Sequence, residues 1–369
     1  MRIEIVSGIW PPDVGGPASH APELASWLQG RGHVVEALVT AVRPPAAEHY
    51  PVRWVSRGLP VGVRHAAVVR ALTARARCAD VIYSTGMLGR TTVAAALART
   101  ALVIKLTSDP AFERARRRGI VADGLVEFQS RPGGPAITAL RAARNATVRR
   151  AAHVVCPSSF MAELAVSWGV PEERVTVLPN ATPLPEEAVP AHLADRPALV
   201  FAGRLTPQKD LDVALQALAL IPEATLTVAG EGAERPRLEA LCHELGLGGR
   251  VHFVGALPRA EVLGLMRAAD VVVLSSAWEN FPHGLVEALA MGTPVIATRA
   301  GGVLEIVEDG RNGLLVESGD APAFAAAVRM FLADTALQER LRAAAAPSVA
   351  RFQQDAVYGR LEEILRAVA

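Results

Sequence analysis

Cysteine is scarce in this chain. The three present, Cys78, Cys156 and Cys242, are far apart and form no CxxC pair. A disulfide scaffold is excluded, and the three read as small buried hydrophobes of a reducing compartment. The nine histidines fall at no paired metal-ligand spacing, so no metal and no other cofactor is expected. Long apolar runs are missing as well. Nothing approaches the roughly 18 residues that a membrane span needs, and Met1–Val6 enters a strand without an apolar signal core. The expectation is a cytoplasmic protein. No GxGxxG follows the first strand, so a dinucleotide site is poorly supported. No nucleic-acid partner is expected.

What is present is apolar: 51% hydrophobic residues against 20% charged describe a well-buried globular chain. At 369 residues the length suggests two domains, because single cores seldom grow past roughly 250–300 residues. The net charge of +1 hides an asymmetry. Residues 1–187 carry 22 Lys and Arg against 15 Asp and Glu, and residues 188–369 carry 16 against 22. Arg114, Arg116, Arg117 and Arg118, then Arg141, Arg144, Arg149 and Arg150, concentrate the excess. They read either as a solvated basic face or as a surface for an anionic acceptor or membrane.

The first half alternates apolar runs with helical spacing. Arg2–Val6, Val34–Val39, Val81–Tyr83, Leu102–Leu106, His153–Cys156 and Val175–Leu178 read as strands, with a helix from about Ala18 to Arg31. The second half repeats the pattern at Leu199–Phe201, Leu226–Ala229, Val251–Val254, Val271–Leu274, Val295–Ala297 and Leu314–Val316. Such alternation means parallel sheets with helices on both faces, an α/β chain. The Pro- and Glu-rich stretch Asn180–Arg196 reads as the linker. The expected division is 1–187, 188–352 and a final helical segment, 353–369.

The stretch SSAWENFPHGLVEALAMGTPVIAT, Ser275–Thr298, carries the most functional information. A strand feeds a polar loop with Glu279, and Pro282, His283 and Gly284 then open a helix containing Glu287. The free N–H groups of such a helix start suit an anion such as a diphosphate. Glu287 lies about four residues in, roughly 6 Å along the axis, with its side chain tilted back toward the start. That spacing suits a carboxylate on the ribose hydroxyls of a nucleotide, and it leaves Glu279 to meet what lies beyond the phosphates. Upstream, GRLTPQKD places Arg204 and Lys209 around one loop beyond Gly203. A guanidinium and an ammonium there suit a departing diphosphate without a metal. The paired glycines Gly15 and Gly16 would let backbone approach a ligand closely.

This segment resembles the E-x7-E signature of retaining glycosyltransferases with the GT-B fold, the large family-four class. The family's usual Gly after Phe281 is Pro282 here, which removes one N–H donor. The resemblance covers essentially the whole chain. It implies two Rossmann-like, doubly wound parallel-sheet domains facing across a cleft, with the final helix crossing back to the first. It assigns Arg204 and Lys209 to the diphosphate, and it places Gly15 and Gly16 near the donor phosphates. It puts the turns at Gly230 and Gly255 near the base, and Phe281, Gly284 and Leu285 at the helix start. Many relatives carry a His after the fourth strand, where Thr107 stands. Asp109 is then the polar group expected to face the cleft, although Asp before Pro also caps helices.

The activity implied is transfer of a hexosyl group from a nucleotide sugar, a UDP-sugar ahead of GDP-mannose, to a hydroxyl acceptor. Peripheral contact with an anionic membrane at its inner face is a further expectation. A GT-B epimerase or phosphorylase and a non-catalytic nucleotide-sugar-binding protein remain as alternatives.

Overall fold

The structure, a computed structural model, describes residues 1–13, 16–121, 124–130, 132–182, 188–191, 193 and 197–369. The chain divides into two compact units: Met1–Leu178 together with Val357–Ala369, and Pro179–Ala356. Of the expected linker, residues 183–187, 192 and 194–196 lie outside the described residues.

Unit 1 is built on seven parallel strands: β1 (Arg2–Ser7), β2 (Val34–Ala41), β3 (Val52–Ser56), β4 (Val81–Ser84), β5 (Ala101–Lys105), β6 (His153–Cys156) and β7 (Val175–Val177). Their order is β3-β2-β1-β4-β5-β6-β7, with Ile3 opposite both Val35 and Val81. Unit 2 repeats the arrangement with β8 (Ala198–Ala202), β9 (Thr225–Ala229), β10 (Val251–Gly255), β11 (Val271–Leu274), β12 (Val295–Thr298) and β13 (Gly313–Val316). Its order is β10-β9-β8-β11-β12-β13.

Both sheets are doubly wound: strand order reverses beside β1 in one and beside β8 in the other. Ligand crevices form outside the carboxyl ends of the strands at such points. Helices cover both faces, so the central strands are buried on each side and read as unbroken apolar runs. All four residues of β4 and of β11 are buried. One strand was not expected. β3 is a partly exposed edge strand whose Arg53 and Trp54 interrupt the apolar pattern.

Helix starts follow the side chains that cap them. Ser158 accepts from the Met161 amide, Asp320 from Ala323 and Asp334 from Leu337. The last helix, Gln354–Val368, seats its inner face within unit 1. Tyr358 and Leu365 are fully buried there, and Glu362 takes His33 at 2.9 Å. Among the described residues no helix is long and apolar enough to cross a membrane.

The second arginine group of unit 1 is mostly committed to internal contacts, which corrects its reading as one basic face. Arg144 is buried, 3.9 Å over the Trp168 ring and 2.6 Å from Asp109. Arg149 donates to the Trp168 carbonyl, and Arg141 lies 4.8 Å over the Phe128 ring.

Candidate functional site

In unit 2 a cavity of about 500 Å³ opens at the carboxyl ends of β8, β9 and β11. The chain leaves β8 through Gly203 and Arg204, then forms a short turn, Pro207–Lys209, ahead of the helix Leu211–Ala219. Gly203, the exposed Arg204 and Lys209 all line the cavity. Gly230, at the end of β9, must be glycine. Its φ is +150°, and a Cβ there would stand 1.8 Å from the Gly203 carbonyl oxygen. The two loops can therefore close on each other, and the Gly203 amide donates to the Ala229 carbonyl at 2.9 Å.

The opposite wall is the helix His283–Ala290. No side chain caps its start, and Pro282 at the N-cap has no N–H to offer. Gly284, Leu285 and Glu287 line the cavity with Pro282 and His283. His283 is held by Thr182 Oγ1 at 3.2 Å from Nδ1 and by Asn180 at 3.3 Å from Nε2. Glu287 accepts from Arg259 Nε at 2.8 Å and is 18% exposed. Sequence reasoning missed Arg259, which stands 28 positions away with no motif around it.

Glu279 is placed differently from the expectation. Its carboxylate is buried, and Oε1 takes both Lys209 Nζ at 2.5 Å and Ser276 Oγ at 2.6 Å. It is not among the residues lining the cavity. Its loop is clamped from both sides. The Ala277 amide donates to the Gln208 carbonyl, and the Gly302 amide donates to the Glu279 carbonyl at 2.8 Å. A Cβ on Gly302 would meet the Asn280 carbonyl oxygen at 1.6 Å, so the approach requires glycine. The pair Gly301–Gly302 was a signal available in the sequence and not used.

The remaining expected residues are dispersed. Phe281 points into the core, edge-on to Phe352 and His283 at 5.4 Å each, and does not reach the cavity. Gly255 stands just behind the wall, where Ala256 and Leu257 make the lining. Gly16 begins the first helix of unit 1, and Gly15 lies outside the described residues.

Asp109, in unit 1, is fully buried and caps the helix Pro110–Arg117. Oδ1 accepts from the Ala111 amide, and Oδ2 takes Arg144 and Gln129. Both oxygens have structural partners, which favours the capping reading over a group offered to a ligand.

Asp210 and Asp212 follow Lys209 one residue apart, but Arg237 holds Asp212 in a two-pronged pair at 2.6 Å on each oxygen. Burial, with Asp212 nearby, raises the Asp210 carboxyl. Among the described residues no group of three or more His, Cys, Asp or Glu side chains is disposed to hold a metal. The cavity thus combines two cationic side chains, an uncapped helix start and the carboxylates of Glu287, oriented by Arg259, and Glu231, paired with Arg235. That donor set can bind a polyanion at one end and hydroxyls at the other.

Two doubly wound units, with this cavity at the second one's switch point, describe the GT-B fold of glycosyltransferases. Anabaena Alr3699/HepE in complex with UDP superposes with a TM-score of 0.81 at 24% identity, covering 100% of both chains. The family described as Glycosyl transferases group 1 matches residues 186–347, and that described as Glycosyl transferase 4-like domain matches 15–181. A glycogen synthase of Mycobacterium tuberculosis is 30% identical over 375 residues, which cover 93% of this chain and 89% of that protein. The lipopolysaccharide core biosynthesis glycosyltransferase LpsE of Rhizobium meliloti is 38% identical over 148 residues, or 40% of this chain. That match spans 43% of LpsE, so less than half of that relative's length is covered. The chain belongs to the glycosyl transferases group 1 family.

Proposed function

We propose that the chain is a retaining, metal-independent glycosyltransferase that moves a hexosyl group from a nucleotide sugar, a UDP-sugar first, to an acceptor hydroxyl. The observation that carries this reading is the convergence of Gly203, Arg204, Lys209, Gly230, Gly284, Leu285 and Glu287 on one cavity.

Arg204 and Lys209 stabilise the negative charge that grows on the leaving diphosphate, and the helix start at His283–Leu285 adds its dipole. Arg259 turns one oxygen of Glu287 toward itself, which leaves the other for the ribose hydroxyls. Glu279 acts through Lys209: at 2.5 Å it holds the ammonium in place. The UDP bound to Anabaena Alr3699/HepE, and the family names of the relatives, support a nucleotide-sugar donor.

The test is a thermal-shift panel of UDP, GDP and ADP, followed by donor turnover in EDTA and NMR assignment of the product's anomeric configuration. A UDP-specific shift, activity in EDTA and a retained anomer are expected. No response to any nucleotide, or an inverted anomer, would overturn the reading.

A further inference from the structure

Unit 1 has its own cavity, about 840 Å³, at the carboxyl ends of β1, β4 and β5, where the strand order reverses. Its walls are basic. Arg57, Arg64, Arg90, Arg114 and Arg117 line it with Lys105, against the single carboxylate of Glu113 among the described residues. Asp13 neutralises Arg57 alone. Arg64, Arg90, Arg114 and Arg117 have no carboxylate within ion-pair distance among the described residues.

Two of their nitrogens are already dry and unsatisfied. Arg90 Nη1 and Arg57 Nε are buried with no hydrogen-bond partner among the described residues. An unmade bond to a buried charged donor costs more than the roughly 1–3 kcal/mol of a neutral one. Such a state persists where a ligand relieves it. The crowding bears on the charge as well: burial, with Arg64 and Arg114 nearby, holds the Arg90 guanidinium pKa below its ordinary value.

A further set of donors faces the same space. Met87, Leu88, Gly89 and Arg90 line the cavity at the start of the helix Leu88–Ala98, and no side chain caps that start. Met87 sits there in left-handed backbone, φ 55°. The neighbouring helix Pro110–Arg117 is capped by Asp109, so only one of the two starts is left open to an anion.

We infer that this cavity binds a phosphate or diphosphate group carried by the acceptor, gripped by Arg64, Arg90 and Arg114 with the amides at Leu88 and Gly89. The acceptor role rests on the transfer reading above; the anion site itself does not. A dianion fits better than a carboxylate because several guanidiniums converge and only one of them is neutralised internally.

The test is calorimetric titration with inorganic pyrophosphate in the presence of saturating UDP, which keeps unit 2 occupied. Arg64→Gln, Arg90→Gln and the exposed Arg114→Gln should each weaken binding about tenfold, while Arg204→Gln in unit 2 leaves it unchanged. Arg114→Gln removes a surface side chain, so its effect does not depend on a variant that folds poorly. Binding lost in Arg204→Gln and untouched by the three others would overturn the inference without touching the donor reading. Absence of UDP binding would sink the donor reading and leave the pyrophosphate comparison standing.

Two further arms separate the sources of the phosphate. Glycerol 3-phosphate competing with pyrophosphate, without co-sedimentation on phosphatidylcholine vesicles doped with phosphatidic acid, assigns a soluble acceptor. Co-sedimentation that Arg64→Gln and Arg114→Gln abolish assigns a lipid-borne one. Neither response sensitive to these arginines would refute the site.

Discussion

Lys105→Met should stabilise the protein at neutral pH while weakening whatever unit 1 binds. The Lys105 side chain ends β5 and is 5% exposed, with His20 Nε2 at 3.4 Å and no carboxylate in reach among the described residues. Burial lowers its ammonium from 10.5 to about 7. That fall corresponds to roughly 5 kcal/mol against the charged, folded form. Local relaxation and the lost His20 contact reduce the expected gain from methionine to about 3 kcal/mol. For a unit of this size the gain should appear as a rise of about 6–12 °C in melting temperature.

The pH dependence makes the reasoning specific. The folded-state value lies below the unfolded one, so between about pH 7 and 10.5 the unfolded chain holds the extra proton. Across that window parental stability rises with pH by up to about 1.4 kcal/mol per unit. Below it both states are protonated and the full penalty applies; above it neither is, and the penalty vanishes. Urea denaturation at about pH 7 and about pH 10 should therefore show a large gap between parent and variant that nearly closes at the higher pH. An equal gap at both values, or a variant less stable than the parent at neutral pH, would refute the argument.

Other substitutions separate structural from chemical roles in the same way. Lys209→Ala should lower turnover by roughly 10²-fold or more. It should also cost about 2–3 kcal/mol, because Glu279 is left buried with Ser276 alone. Adding Glu279→Gln should restore the melting temperature and not the turnover, and recovery of both would remove Lys209 from the chemistry. Glu287→Gln should weaken UDP about tenfold by titration, the worth of one charge-assisted bond, and an unchanged Kd would end the ribose assignment. Asp109→Ala should cost about 3–5 kcal/mol in urea, since it uncaps a helix and strands the buried Arg144. A variant with intact stability and lost turnover would return Asp109 to the reacting groups.

Much of the fold was legible because parallel strands buried on both faces announce themselves as short apolar runs. Five of the six strands of unit 2 are mostly buried, β10 at the edge is only partly so, and each of the six falls on an expected run. β3 escaped because an edge strand keeps one side in water and tolerates Arg53 and Trp54. The residues around the unit 2 cavity were legible for a related reason. Gly203, Arg204, Lys209, Gly284 and Glu287 lie within single strand–loop–helix passages, so their spacing along the chain is also their spacing in space. Arg259 was not legible, because its contact arises only when a separate passage of the folded unit meets Glu287, whereas Ser276 lies three residues from Glu279 in the same loop and was within reach of the sequence.

The arginines of unit 1 show where reading by composition stops. A count of charges gives Arg144 and Arg114 the same weight. In the folded unit Arg144 is buried between Asp109 and the Trp168 ring, and its charge is neutralised. Arg114 lines a cavity with no internal partner. The difference is topological. Parallel strands bring every carboxyl-end loop to one edge of the sheet, so Arg57, Arg64, Arg90 and Arg114 converge although up to 57 positions separate them in the chain. A cluster assembled in this way leaves no local trace in the sequence. Guanidiniums that crowd one another, two of them with a buried nitrogen that has no partner among the described residues, are poised for an anion, whereas an equal number of arginines scattered over a surface would be satisfied by water.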